Sequence, residues 1–165
     1  MRVLNSAIAV ACAISSIVPA CAFAATATGN LNVRITIQNE CKVVSAADLD
    51  FGPKGVIDTN VDQTTTISVQ CTNTTPYTVG LSVGNGTGAT VAIRKMTGAA
   101  GATINYSIYR DTARTQVWGN TPGTDTVAGT GNGAVQNITA YGRVPAQNTP
   151  APGVYSDVVA ITVTY

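Results

Sequence analysis

The residues in this sequence that could carry chemistry are few, and one type is missing altogether: there is no histidine. That removes the commonest general base and a major metal ligand. The acids Asp48, Asp50, Asp58, Asp62, Asp111, Asp125 and Asp157 fall mainly in segments that read as loops and strand ends. A converging pair could do glycosidase chemistry, but nothing in their spacing builds one, and turn-capping aspartates are far commoner. Asp48 and Asp50 could begin a calcium loop, yet no EF-hand pattern follows them. Serine and threonine nucleophiles have no histidine to activate them, and no lysine-activated motif is present. Gly84-Asn85-Gly86-Thr87-Gly88 and Gly129-Thr130-Gly131-Asn132-Gly133 lack a Gly-Lys-Ser/Thr ending and open no helix, so they read as turns rather than phosphate cradles. Trp118 beside Gly119 could stack on a sugar; a core or hinge role competes with that. No catalytic residue, metal ligand or cofactor is expected.

The four cysteines are the remaining reactive groups. Their meaning depends on the first two dozen residues. Met1-Arg2 is a short positive start, and an apolar run follows over residues 7–18 until Pro19 breaks it. Ala22-Phe23-Ala24 then supplies small residues where a signal peptidase reads, predicting cleavage between Ala24 and Ala25. A membrane anchor would need about 20 apolar residues, more than this run offers. Lipid attachment at Cys21 is opposed by Pro19 just ahead of it. Removing residues 1–24 takes Arg2, Cys12 and Cys21 away. Export puts Cys41 and Cys71 in an oxidising compartment, where a lone pair is most simply a disulfide. A redox pair would call for Cys-x-x-Cys, which is absent. Closing a loop of about 30 residues stabilises a fold by roughly 3–4 kcal/mol in the chain-entropy model.

The elements that must position these residues are strands. The chain has 165 residues, 10% of them charged and 45% apolar, with a net charge of +1. One domain plus a processed segment accounts for that length. The charge leaves no electrostatic footprint for nucleic acid or an anionic membrane surface. Thr, Val, Ile and Tyr favour strands and Gly the turns between them. Over residues 27–37, Ala27, Gly29, Leu31, Val33, Ile35 and Ile37 share one face, and Thr28, Asn30, Asn32, Arg34 and Thr36 share the other. Period 2 held that long predicts a half-buried strand. Further strands are expected over residues 41–44, 64–71, 77–83, 91–96, 103–110, 134–144 and 154–165. The glycine-rich stretch 119–133 reads as a long loop or loose hairpin. In the last strand Val159, Ile161, Val163 and Tyr165 face one way. Short strands separated by turn signals, with no helical period, predict an all-β sandwich.

The two ends are informative together. The most regular strand lies at the N-terminal end, where domains fray. The last strand ends on the last residue of the sequence, with no partner strand after it. Such an edge is a template for another chain. The N-terminal strand could fill a groove of that kind on a neighbour, or it could be an ordinary first strand of its own domain; both readings stand at this point.

With these residues laid out, the chain closely resembles the spore-coat-protein-U-like family, which includes subunits of archaic chaperone–usher pili such as the Csu pili. The resemblance rests on Cys41, Leu49-Asp50-Phe51-Gly52, Val69-Gln70-Cys71-Thr72, residues 77–81, Arg94-Lys95-Met96 and residues 104–111. It continues through Trp118-Gly119, Tyr141-Gly142-Arg143-Val144-Pro145, Gly153-Val154-Tyr155-Ser156-Asp157 and the terminal Val163-Thr164-Tyr165.

The resemblance implies an incomplete immunoglobulin-like β-sandwich completed by donor-strand exchange. Residues 1–24 would be the signal peptide, 25–38 an N-terminal donor-strand extension and 39–165 the pilin-like domain. The donor would be residues 27–37, with Leu31, Val33, Ile35 and Ile37 as plugs. The acceptor groove would be flanked by Val159, Ile161 and Val163. Tyr165, with its carboxylate, would anchor a periplasmic chaperone. The implied partners are that chaperone, an outer-membrane usher and identical or related pilin subunits. The implied role is structural, in a surface fibre for adhesion and biofilm formation, reached by way of the periplasm. A secreted carbohydrate-binding sandwich, its N-terminal strand folded into its own sheet, is the competing reading, and a periplasmic hydrolase a third.

Overall fold

Eight strands, all paired antiparallel, form the body of the protein in the computed structural model, which describes residues 23–165. They are β1 (Cys41–Ala46), β2 (Val61–Cys71), β3 (Pro76–Leu81), β4 (Arg94–Thr97), β5 (Thr103–Tyr109), β6 (Val127–Thr130), β7 (Val135–Val144) and β8 (Ile161–Thr164). One sheet has the order β1-β2-β7-β5-β4 and the other β6-β3-β8. The chain divides after Ile35 into an N-terminal unit and a body running Thr36–Tyr165.

Alternation explains how the two sheets make one core. On β7, Ile138, Ala140, Gly142 and Val144 turn inward while Asn137, Thr139, Tyr141 and Arg143 turn out. In register beside them, Ile67 faces Ile138 and Val61 faces Val144. From the smaller sheet Tyr77, Val79 and Leu81 close over this face. Trp118 fills the middle, wholly buried, its indole Nε1 donating to Val79 O at 2.8 Å. A buried indole N–H needs such a partner.

Cys41 and Cys71 form the expected disulfide. They are register partners at the start of β1 and the end of β2, with Cα atoms 4.1 Å apart.

Four strand expectations are revised. The stretch 119–133 is not wholly loop: Val127–Thr130 is an edge strand on β3, Val127 opposite Val79. Its glycines hid it, because an edge strand with one neighbour needs little apolar content. Residues 91–93 bend, and the strand begins only at Arg94. In the C-terminal segment the ladder is limited to Ile161–Thr164, although the alternation of half-buried Val159, Ile161 and Val163 with exposed neighbours starts earlier. Residues 27–37 join no sheet. A ladder needs a partner, and this segment has none among the described residues.

Candidate functional site

β8 sits at one end of the smaller sheet, with β3 as its one ladder partner among the described residues. The Ser82 amide donates to Ala160 O at 2.9 Å, which fixes the phase of the pairing. By the alternation of an antiparallel ladder, residues 160, 162 and 164 turn their amide groups toward β3. Val159, Ile161, Val163 and Tyr165 therefore present theirs to the opposite edge, while the side chains of the first three line the interior.

Beside that edge the sandwich is open. A cavity of about 550 Å3 lies between it and the chain that continues from β1, lined by Leu49, Phe51, Ile67, Leu81, Val159 and Ile161 among others. A second cavity of about 650 Å3 shares Leu49, Phe51, Met96 and Tyr155 with the first and continues along the loop 149–153. Gly142 lies beneath this lining. A Cβ there would approach Leu49 Cδ2 to 2.7 Å and Phe51 Cζ to 2.9 Å, so glycine lets both side chains seat deeply.

The chain reaches the open edge by crossing between sheets. Ser156 pairs with Thr97 at the end of β4, their amides donating to each other's carbonyls at 2.9 and 3.2 Å. By Ala160 the chain has joined β3. Midway, Asp157 accepts hydrogen bonds from the Asn85 amide at 2.7 Å, the Val158 amide at 2.8 Å and the Tyr106 hydroxyl at 2.7 Å. Burial, and then the Asp157 carboxylate, hold the Tyr106 phenol above the ordinary tyrosine range, so it is a neutral donor at any physiological pH. Ser82 Oγ accepts from the Ala160 amide at 2.8 Å.

Arg94 underpins this corner and was not singled out by its residue type or spacing. Wholly buried, it donates through Nε to Ser82 O at 2.8 Å and through Nη1 to Val91 O at 2.9 Å. Nη2 reaches Leu81 O at 3.2 Å and Trp118 O at 2.8 Å. Burial lowers its pKa, with Tyr106, Asp157 and Asp125 acting in the opposite direction. Planar donors pointing several ways let one guanidinium satisfy four carbonyls.

The alternating N-terminal residues are exposed: Leu31 is 88% accessible, Val33 84%, Ile35 85% and Ile37 71%. The root of this segment is fixed within the body. The Glu40 amide donates to Thr72 Oγ1 at 3.1 Å, the Thr72 amide to Glu40 O at 2.9 Å, and Thr75 Oγ1 to Asn39 Oδ1 at 3.3 Å. Tyr165 is exposed at the end of β8, and Ala24 and Ala25 are exposed without regular structure. Residues 1–22 of the segment expected to be a signal lie outside the described residues.

Of the candidate aspartates, Asp48, Asp50 and Asp157 line one cavity, but the acceptor bonds of Asp50 and Asp157 go to nearby amides and to Tyr106 rather than to a shared site. Asp50 caps its own turn by accepting from the Gly52 amide at 2.8 Å. Asp111 accepts from the Thr115 and Gln116 amides, and Asp125 from the Thr121 amide. Asp62 is engaged by Arg143 in a two-pronged pair at 2.7 Å. Trp118, being buried, offers no stacking face. Among the described residues no group of three or more metal-ligating side chains gathers, and no helix is long and apolar enough to cross a membrane.

Comparison with known proteins bears on this geometry. The sequence profile of the Spore Coat Protein U domain matches residues 27–162. The chain belongs to that family. It is 36% identical over 181 aligned residues to Protein U of Myxococcus xanthus, covering 100% of both chains. Among solved structures it is similar to a chain of the CsuC–CsuE chaperone–tip adhesion subunit pre-assembly complex, from archaic chaperone–usher Csu pili of Acinetobacter baumannii. The TM-score there is 0.56 at 21% identity, over 79% of this chain and 40% of that one. The all-β fold is thus shared with a chaperone–usher pilus component, and this chain spans two-fifths of the length of the one it matches.

Proposed function

We propose that this chain is a non-catalytic structural subunit of a chaperone–usher surface pilus, polymerising by donor-strand exchange and serving adhesion and biofilm formation. One observation carries the reading: an apolar groove beside the unpaired edge of β8 coexists, in one chain, with an exposed segment whose apolar residues alternate in strand period. Residues 25–38 are the donor extension, and the body beyond them is the acceptor. Leu31, Val33, Ile35 and Ile37 would each gain about 1.5–3 kcal/mol on entering a pocket, with ordering of the segment opposing that gain. A periplasmic chaperone occupies the groove first, with Tyr165 as an anchor. At the outer-membrane usher the neighbouring subunit's extension replaces it.

Strand polarity favours exchange over self-filling. β1 runs antiparallel to β2, the turn after Cys71 reverses the chain into β3, and β8 runs antiparallel to β3. β1 and β8 therefore run in opposite directions. A segment folding back beside β1 as a hairpin would run antiparallel to β1 and hence parallel to β8, the weaker arrangement. A neighbour's segment is free to enter antiparallel to β8. Because donor and acceptor are different surfaces, the contact is head-to-tail, and repeated without closing into a ring it builds a filament.

The test is polymer formation by the exported full chain. Ladders that survive detergent and collapse on heating are expected, and Leu31→Asp with Ile35→Asp should abolish them. A purely monomeric protein, or ladders indifferent to those substitutions, would overturn the proposal.

A further inference from the structure

The segment that carries the open edge is held in an unusual way where it leaves the larger sheet. Between the Ser156–Thr97 bridge and the Ala160–Ser82 contact it belongs to neither ladder. Its fixed points there are side chains. Asp157 reaches Tyr106 on β5 in one sheet and the Asn85 amide just beyond β3, which belongs to the other. Ser82 Oγ takes the Ala160 amide. Gly84 leaves room for this carboxylate, since a Cβ there would collide with it. Tyr106 is itself buried, with its ring edge-on to Phe51 at 6.4 Å between centroids, and Phe51 lines both cavities. The carboxylate thus links the groove's lining to the strand that borders it.

We propose that Asp157, gripped by Tyr106, is a positioning residue for strand capture: it presets the free edge at residues 158–163 so that an incoming strand meets aligned amide groups. The inference rests on the donor-strand reading and deepens it. In the unfilled groove the first half of this edge has no ladder of its own, so the Tyr106–Asp157 bond supplies the order. Once a donor strand is seated, its own backbone pairing holds the edge and the bond is redundant. Asp157 and Tyr106 therefore act on the rate of capture rather than on the finished complex. A role confined to folding would weaken the unfilled and filled states alike.

The experiment uses the full chain carrying Leu31→Asp and Ile35→Asp, which disables its own donor, and a fluorescent peptide of residues 25–38. Tyr106→Phe removes the hydroxyl and keeps the ring, and Asp157→Asn weakens the same bond from the other end. Each should slow peptide capture about five- to tenfold, the weight of one hydrogen bond. The melting temperature of the filled complex should stay at the parent value. Capture at the parent rate, or equal losses of stability in filled and unfilled protein, would overturn the inference while leaving the groove intact. If the parent protein itself captures no peptide, the donor-strand reading fails and this inference with it. Should Tyr106→Phe fail to fold, Asp157→Asn decides the matter by the same two readouts.

Discussion

Arg94 Nη2 donates to Trp118 O at 2.8 Å, and both side chains are wholly buried. The largest aromatic of the core and a buried cation thus meet through a backbone carbonyl, beside the corner from which β3 supports β8. Removing the cation leaves four carbonyls without a donor. Arg94→Met should destabilise the fold by about 3–5 kcal/mol, and Arg94→Lys by nearly as much, because one ammonium cannot serve carbonyls in several directions. Urea unfolding of the two variants would measure it, and a loss below about 1 kcal/mol for Arg94→Lys would refute the account.

The Asp62–Arg143 pair gives a pH signature of known sign. The hydrogen bonds from Arg143 hold the Asp62 carboxyl below its ordinary 3.8, with burial opposing and the Arg114 charge assisting. A depressed folded pKa means stability that is fully present above the unfolded value and lost as pH falls through the folded one. Wild type should therefore outlast Asp62→Asn at neutral pH, and the gap should close below pH 3.8. Both side chains are about a third exposed, so the gap is under about 1 kcal/mol. Melting temperatures of the two proteins from pH 7 down to 2 check this. Asp111, lowered chiefly by the Gln116 amide, titrates with the same sign in both and cancels in the difference.

Loss of the disulfide should cost roughly 3–4 kcal/mol, since it closes a loop of 30 residues in sequence separation. The paired substitution Cys41→Ser with Cys71→Ser, compared with wild type by chemical unfolding, measures this without leaving a free thiol.

Leu31→Asp and Ile35→Asp should leave the unfolding of an unassembled chain unchanged within about 0.5 kcal/mol, because neither side chain is buried there. Calorimetry of the monomeric fraction checks it. A large destabilisation would mean that the segment packs into its own domain.

Much of the sandwich was legible because burial on one face leaves a period-2 trace. β2, β3, β5 and β7 are found within a few residues of where alternation places them. β6 was not, since Val127, Ala128, Gly129 and Thr130 offer a single strongly apolar residue. The disulfide could be read from the expected export signal and the count of cysteines that would remain after its removal. Val159, Ile161 and Val163 were expected on one face, and all three are half-buried against the core, the first two lining the cavity. Arg94 and the Asp157–Tyr106 bond left no such trace. Buried polar contacts join residues 51 apart, as here, through three-dimensional proximity that no local pattern encodes.

The disulfide's place at the root of the N-terminal segment bears on mechanics. Ile37 is followed by Gln38, and from Asn39 and Glu40 the chain is tied to Thr75 and Thr72. In a fibre built as proposed, a pull along the axis would load each inserted strand in shear, then pass through that short tether. Within a few residues it meets the covalent link between Cys41 and Cys71. Tension is delivered to a bond that does not unzip, and the β1–β2 ladder lies beyond it, shielded. A subunit so wired would yield at its joints before its N-terminal edge could peel.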